Sequence, residues 1–346
     1  MAEKEHPVFE TVGVIGAGSF GTAIANVLSE NVDVLLYSRH DEQIREMNET
    51  HKTGQISLSE RVRATGSLAE LTERCRLIFP IIPSSGFREM MRGLAPFLHP
   101  YHFLIHGTKG FDLTGDTSGH IHPSQVHTLS QVITQESVVI RVGCLGGPNL
   151  AAEIHEGQPA ATVIGSRFDE VIDLGRSVLQ SSRFHVFGTH DILGAELAGA
   201  LKNAIAIGSG ILAGMGLGKN MQALLITRGL TEMIYFGKAL GATPHAFLGT
   251  AGIGDLIATA TSEKSRNFSL GYRLAGGESL EKVQTEMPEL AEGVRTLKII
   301  RDVGRYYKIN TPITSLLYRT VYDGLPPQKA IDFLMTHPWS VDVDFL

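Results

Sequence analysis

The stretch Gly16-Ala17-Gly18-Ser19-Phe20-Gly21 constrains this chain more than any other. It follows the short apolar run Thr11-Val12-Gly13-Val14-Ile15, which fits a buried parallel strand. It precedes Thr22 to Leu28, where small and apolar residues fall at helical spacing. Strand, Gly-x-Gly-x-x-Gly turn and helix in that order form a dinucleotide-binding fingerprint. Gly16 permits the tight turn, Gly18 lets backbone approach a pyrophosphate, and Gly21 lets the helix pack closely on the strand. The helix N-terminus adds N–H donors and the positive end of its dipole.

The second strand runs from Val32 to Tyr37 and ends at Ser38-Arg39-His40. An acidic residue at this distance from the fingerprint would hold the ribose 2′-hydroxyl of NAD, whereas arginine accommodates a 2′-phosphate. Arg39 and His40 occupy the place, which favours NADP or dual use. Asp41 is expected to cap a helix from Glu42 to Asn48. Leu77 to Ser84 reads as a further strand entering a loop, with Pro80 awkward inside it and Pro83 suited to border a nicotinamide.

Phe103 to His106 and Val138 to Leu145 add strands that lead into Gly107-Thr108-Lys109-Gly110 and Gly146-Gly147-Pro148-Asn149. Such Gly, Pro and polar strand ends fit a crevice at the carboxyl edge of a sheet. Thr162 to Gly165 and Phe184 to Phe187 supply two more strands, with a helix over Asp169 to Leu179 between them.

After about Asp191 strand-like runs vanish, and Ala, Leu, Ile and Gly at helical spacing continue to Leu334. The expected fold is therefore an α/β N-terminal Rossmann-type domain with a mostly parallel sheet, followed by an all-α C-terminal domain. Residues 1–193 form the dinucleotide-binding part and residues 194–346 the helical substrate-binding and catalytic part. The first helix of the latter, Ala195 to Leu212, would set Ala198, Leu201, Ile205 and Leu212 along one face.

The uncharged stretch Asn203 to Gly218 is shorter than the roughly 20 apolar residues of a membrane span, so a buried helix broken at its glycines is expected. A formal net charge of -6 gives no reason to expect nucleic acid or an anionic membrane as partner. Cys75 and Cys144 lie far apart and outside any Cys-x-x-Cys spacing, which fits a reducing compartment. Met1 to His6 lacks the apolar core of a signal peptide and reads as a loose leader, so a cytoplasmic protein is the default. The tail from Val341 to Leu346 is expected to be solvated.

Lys202 and Asn203 stand inside the apolar helix among Gly199, Ala200, Leu201, Ala204, Ile205 and Ala206. Two accounts of the lysine are open. It can snorkel to solvent, or burial can lower its pKa from about 10.4 into the range useful for proton transfer. Asp255 follows Gly252-Ile253-Gly254 and starts an apolar helical run, where capping is the simplest role. Ser265-Arg266-Asn267 offers a guanidinium and two hydrogen-bonding side chains, a set that can grip phosphate. His120-Ile121-His122 is isolated and reads as surface loop, and no metal-ligand spacing is present.

Taken together, these segments resemble the NAD(P)-dependent glycerol-3-phosphate dehydrogenases of the bacterial type. The matching pieces are Gly16 to Gly21, Thr108-Lys109-Gly110, Gly147-Pro148-Asn149, Leu201 to Ala206, Ile226-Thr227-Arg228-Gly229, Ala251 to Leu256, Ser265-Arg266-Asn267, Glu292-Gly293 and Thr311-Pro312-Ile313. They run in the family's order from about residue 11 to about 325.

The resemblance implies reversible, NAD(P)H-dependent reduction of dihydroxyacetone phosphate to sn-glycerol 3-phosphate for phospholipid synthesis, in an enzyme that is commonly a homodimer. It implies that Lys202 is the catalytic acid/base, with Lys109 and Asp255 orienting the substrate hydroxyls and Lys202. Ser265, Arg266 and Asn267 would bind the phosphate, and Gly147, Asn149 and Asn203 match further substrate positions. Ser19, Phe20, Arg39, His40, Lys109, Ala151, Arg266, Leu290 and Glu292 match positions that line the cofactor site. Many bacterial members carry Ser or Thr where this chain has Asn149, and the loop Thr114–Val126 departs from the family's usual form.

Two other readings stand beside this one. A two-domain 3-hydroxyacid or ketopantoate-type dehydrogenase can share the architecture and a helical lysine, but its carboxylate substrates leave Ser265-Arg266-Asn267 unexplained. A nucleotide-sensing scaffold needs only the cofactor half, and gives no reason to keep Lys109, Lys202, Asp255 and Arg266 together.

Overall fold

A computed structural model describes residues 9–287 and 291–336. The expectations for the leader, the tail and Leu290 fall outside these residues. The chain divides into two compact units, residues 1–108 with 128–192, and residues 109–127 with 193–346. This differs from a single cut after residue 193 in one respect. The segment Lys109–His127 leaves the first unit and belongs to the helical one. Its Phe111 and Ile121 sit in the helical core, and Asp302 accepts the Ile121 N–H at 3.0 Å. Ile121 is thus buried, while His120 and His122 on either side are exposed.

The first unit is built on an eight-stranded sheet. Its strands are β1 (Thr11–Ile15), β2 (Asp33–Tyr37), β3 (Val62–Thr65), β4 (Leu77–Pro80), β5 (Phe103–His106), β6 (Arg141–Gly146), β7 (Ala160–Ser166) and β8 (Phe184–Thr189). They lie in the order β3-β2-β1-β4-β5-β6-β7-β8. The pairs from β3 to β6 are parallel, β6 meets β7 antiparallel, and β7 pairs β8 in parallel. Helices cover a parallel sheet on both faces, so its central strands read as unbroken apolar runs such as Leu77-Ile78-Phe79, which is fully buried. Pro80 is the last residue of β4. There its missing N–H costs the ladder little, and its carbonyl still accepts from Gly107.

Four local expectations need correction. Strand β6 begins at Arg141 rather than Val138, because Val138 and Ile140 lie exposed ahead of the sheet. Asp41 is the first residue of the helix Asp41–Thr50, not its cap; His40 takes the cap position without a side-chain bond. Strand β3 was not anticipated: only four residues long and centred on Arg63, it earns its place by pairing with β2. The fourth concerns the helix of Lys202. It runs unbroken from Ile192 to Gly214, past Gly208 and Gly210.

Those glycines serve contact between helices. A Cβ at Gly210 would lie 2.0 Å from the Phe268 carbonyl oxygen, and one at Gly271 would lie 2.0 Å from that of Ile207. The helices Ile192–Gly214 and Arg266–Ala275 therefore touch backbone to backbone. The expected face of Ala198, Leu201, Ile205 and Leu212 is buried, but so are residues around the rest of the helix. This helix is long and apolar enough to cross a membrane, yet 89% of its most apolar window is buried within the protein. It is a core helix.

Helix Lys219–Ala239 contributes a buried acid, Glu232, whose carboxylate accepts the Ile313 N–H, the Thr314 N–H at 2.9 Å and the Thr314 hydroxyl at 2.8 Å. It caps helix Pro312–Tyr322, whose own N-cap, Thr311, makes no side-chain cap bond. Burial pushes the carboxyl up to about 7 against the pull of those donors. A carboxyl raised in the folded state contributes stability that is complete below its unfolded value and is lost as pH rises through about 7. Glu232→Gln removes that titration. The Tm of the wild type minus that of the variant is expected to fall by a few degrees from pH 5 to pH 8, since 1 kcal/mol moves Tm by about 2–4 °C at this size. A pH-independent difference in thermal melts would contradict the raised pKa.

Candidate active site

In the first unit the turn after β1 has the shape that its glycines require. Gly16 has φ +115°, and a Cβ there would lie 2.1 Å from the Ile81 carbonyl oxygen. A Cβ at Gly21 would lie 1.8 Å from the Gly16 carbonyl oxygen, so the helix can start only with glycine at that place. Gly18 faces open space, with no atom within 4 Å of where its Cβ would be, and it is the N-cap of helix Ser19–Leu28. No side chain caps that helix. Backbone N–H groups at an uncapped start beside an open glycine fit the pyrophosphate of a dinucleotide.

The sequence did not point to His155. At the end of helix Ala151–His155, its Nε2 lies 3.0 Å from the Ser19 carbonyl oxygen and 3.3 Å from the Thr22 hydroxyl. It braces the first turn of the fingerprint helix and ties the short helix of Ala151 to it. Phe20 closes on Gly107, with a ring carbon 3.1 Å from that glycine's Cβ position. At the end of β2, Arg39 and His40 are both exposed, with Arg39 Nε 3.4 Å from His40 Nε2.

Gly147 and Asn149 follow β6 in this same unit. Gly147 has φ +102°. Asn149 is buried, and its amide donates to the Gly146 carbonyl oxygen at 3.2 Å and to the Thr162 hydroxyl at 2.9 Å. Its donors therefore shape the strand end, and its Oδ1 is buried without a hydrogen bond.

The second unit gathers Lys202, Lys109 and Asp255. Lys202 is only 4% exposed, which decides between the two accounts of it: it does not snorkel. Its Nζ lies 2.8 Å from Asp255 Oδ1 and donates to the Thr259 hydroxyl. Lys109 Nζ lies 2.7 Å from the other oxygen, Asp255 Oδ2. One carboxylate thus bridges two ammonium groups. Asp255 is not a cap. It opens helix Asp255–Thr261 directly after a π-helical turn, Thr250–Gly254, which aims the carboxylate inward.

Thr259, one turn beyond Asp255, was missed. Its only signal was the i, i+4 spacing. Its hydroxyl donates to Asp255 Oδ1 at 3.3 Å while accepting from Lys202. Burial pushes the Lys202 ammonium down to about 8; Asp255 opposes that shift, and the charges of Lys109 and Arg266 add to it. The result is an amine poised to exchange a proton near neutral pH.

Ser265 is the N-cap of helix Arg266–Ala275, its hydroxyl oxygen accepting from the Phe268 N–H. Arg266 is exposed at the first helical position. Asn267 is buried, and its Oδ1 accepts the Gly293 N–H at 2.9 Å. That bond joins it to helix Glu292–Tyr306, whose first residue is Glu292. Asn203 is buried beside Lys202, and its carbonyl oxygen lies 2.5 Å from the Cβ position of Gly293. Among the described residues no group of three or more His, Cys, Asp or Glu side chains is placed to hold a metal ion.

Comparison with known proteins matches residues 11–171 to the N-terminal part, and residues 191–332 to the C-terminal part, of the NAD-dependent glycerol-3-phosphate dehydrogenase family. The glycerol-3-phosphate dehydrogenase [NAD(P)+] of Pseudomonas putida is 37% identical over 342 residues, covering 97% of each chain. That of Acinetobacter baumannii is 36% identical, covering 97% of this chain and 92% of the relative. The crystal structure of glycerol-3-phosphate dehydrogenase from Coxiella burnetii superposes with a TM-score of 0.85 at 29% identity, over 96% of this chain and 100% of that one. With likeness of this extent over both units, the chain belongs to the NAD(P)-dependent glycerol-3-phosphate dehydrogenase family of oxidoreductases.

Proposed function

We propose that this protein reversibly reduces dihydroxyacetone phosphate to sn-glycerol 3-phosphate, with Lys202 as the general acid and base, in a cytoplasmic route to glycerophospholipids. The observation that carries the reading is the buried Lys202 ammonium, held by Asp255 and Thr259 and pushed down to about 8. A nicotinamide cofactor, when bound, supplies the hydride. Gly16, Gly18, Ser19, Phe20, Gly21, Arg39, His40 and Ala151 are the residues of the first unit that would hold it, and Arg39 makes NADP the favoured form.

Carbonyl reduction places negative charge on the C2 oxygen. Lys202 Nζ stabilises that charge and donates its proton there; in the reverse direction the neutral amine takes the proton from the C2 hydroxyl. Asp255 fixes the direction of Nζ through Oδ1. Lys109 shares the same carboxylate, so Asp255 does not hold the Lys202 proton as tightly as an unshared partner would. Two ammonium groups and one carboxylate leave a surplus positive charge, which suits an alkoxide. Arg266, with the Asn267 amide and the Ser265 hydroxyl, would hold the phosphate by charge-assisted hydrogen bonds.

The first test is oxidation of NADPH and NADH with dihydroxyacetone phosphate, alongside free dihydroxyacetone and ketopantoate. Activity confined to the phosphorylated ketone is expected, whereas turnover of ketopantoate would favour the carboxylate-substrate reading.

Lys202→Ala should lower kcat by about 10²–10⁴-fold, the usual weight of a general acid, with the NADPH Kd unchanged by titration. Retained kcat would remove Lys202 from the chemistry. In the wild type, kcat for ketone reduction should fall as pH rises through about 8, because the acid must be protonated, while the oxidation rate rises to a plateau across the same range.

Arg266→Ala should raise KM for dihydroxyacetone phosphate by about 10–100-fold, equivalent to a charged hydrogen bond of ~1.5–3 kcal/mol. An unchanged KM would move the phosphate elsewhere. Arg39→Asp should turn the preference toward NAD, read as the ratio of kcat/KM for the two cofactors, and an unmoved ratio would show that Arg39 does not read the 2′-phosphate.

A further inference from the structure

The end of β2 and the glycine turn after β1 are joined by one side chain that the chemistry above does not use. Gln43 lies in the first turn of helix Asp41–Thr50, half-buried. Its Oε1 accepts from the Ser38 hydroxyl at 2.7 Å. Its Nε2 donates to the Ala17 carbonyl oxygen at 2.9 Å and to the Thr53 hydroxyl at 3.0 Å. Ser38 is buried, and its hydroxyl oxygen accepts the His40 N–H at 3.2 Å, while its own N–H donates to the Thr65 carbonyl oxygen at 3.1 Å. Ala17 belongs to the glycine turn; Ser38 and His40 flank Arg39.

Both amide hydrogens of Gln43 are engaged, its oxygen accepts, and the Ser38 hydroxyl both donates and accepts. With every donor hydrogen of the two side chains engaged, the pair is a brace with no side-chain donor left to offer a ligand. Arg39 is exposed, and among the described residues its side chain makes only a long contact to His40, so its reach is set chiefly by its backbone. We infer that Gln43, acting through Ser38, is a positioning residue for cofactor discrimination: it fixes the Arg39 turn against the glycine turn, so that a 2′-phosphate meets the guanidinium while the pyrophosphate rests at Gly18. The inference rests on the reading of Arg39 given above.

NAD and NADP differ only in the 2′-phosphate. A loosened Arg39 turn should therefore weaken NADPH and spare NADH, whereas a damaged glycine turn should weaken both. Gln43→Met keeps the length of the side chain and removes its hydrogen bonds; Ser38→Ala breaks the same brace at its other end. Kd values for NADPH and NADH are measured on the apoprotein by titrating nicotinamide fluorescence, so turnover does not enter.

Each variant is expected to weaken NADPH by about fivefold or more, the order of one ordinary net hydrogen bond, with NADH changed less than about twofold. Retained NADH binding also reports that the unit is folded. Equal losses for both cofactors, or no loss for either, would overturn the inference.

Arg39→Ala separates the two layers of the argument. In that background Gln43→Met is expected to leave the NADPH/NADH ratio where Arg39→Ala alone puts it, and a further shift would mean that the brace acts through another group. If Arg39→Ala itself leaves the wild-type ratio intact, the reading of Arg39 fails and the inference falls with it. If Arg39→Ala shifts the ratio and neither brace variant does, the inference alone fails.

Discussion

A single buried carboxylate organises the helical unit. Asp255 is 2% exposed and bridges Lys202 and Lys109, which come from a long helix and from the start of an excursion out of the other unit's sequence. Burying a carboxylate and an ammonium group, with a second ammonium half-buried beside them, is costly, and a pair in isolation often does no better than break even against apolar packing. The arrangement is explained better by what it leaves behind. The trio carries a surplus positive charge in an apolar setting, where charge acts strongly on a bound anion.

The carboxylate is shared inside a closely packed set of helices. Lys202 lies on a helix that is buried around its circumference, and Gly210 against Gly271 lets the neighbouring helix come into backbone contact. A lysine on such a helix has no short path to water, so its head must meet a partner inside. The π-helical turn before Asp255 brings the partner in, and Thr259 takes a second ammonium hydrogen one turn later. The depressed basicity of Lys202 thus follows first from its burial in this packed helix, with the charges of Lys109 and Arg266 adding to it and Asp255 opposing it.

Features that depend on neighbouring residues were legible in the sequence; those set by distant ones were not. The glycine turn, helix Asp169–Leu179 and the change from strands to helices after Asp191 follow from local spacing, and the structure has all three. Strand β3 is four residues long and exists through its pairing with β2. The helix through Gly208 and Gly210 was misjudged because glycine's weak helical propensity is outweighed by contacts with Leu317 and Phe268, more than fifty residues away. Lys202 stood between solvent and core for the same reason. The burial of Ile121 in the loop 114–126 could not be read without Asp302, on a helix far along the chain.

Hydrogen-bond capacity separates braces from contacts among the residues that the sequence singled out. The Lys202 ammonium has three donors, of which Asp255 and Thr259 take two. Asn267 has its oxygen on Gly293, which leaves its amide hydrogens. Ser265 accepts from Phe268, which leaves its hydroxyl proton. Among the described residues each of these three positions therefore keeps at least one donor hydrogen unengaged. Asn149 is the reverse: its hydrogens are engaged at the strand end and an acceptor remains. On the function proposed above, unengaged donors beside a surplus positive charge would suit phosphate and a developing alkoxide. An acceptor such as Asn149 Oδ1 would be repelled by either, so Asn149 fits better as a brace of the β6 loop than as a ligand of the substrate's anionic groups.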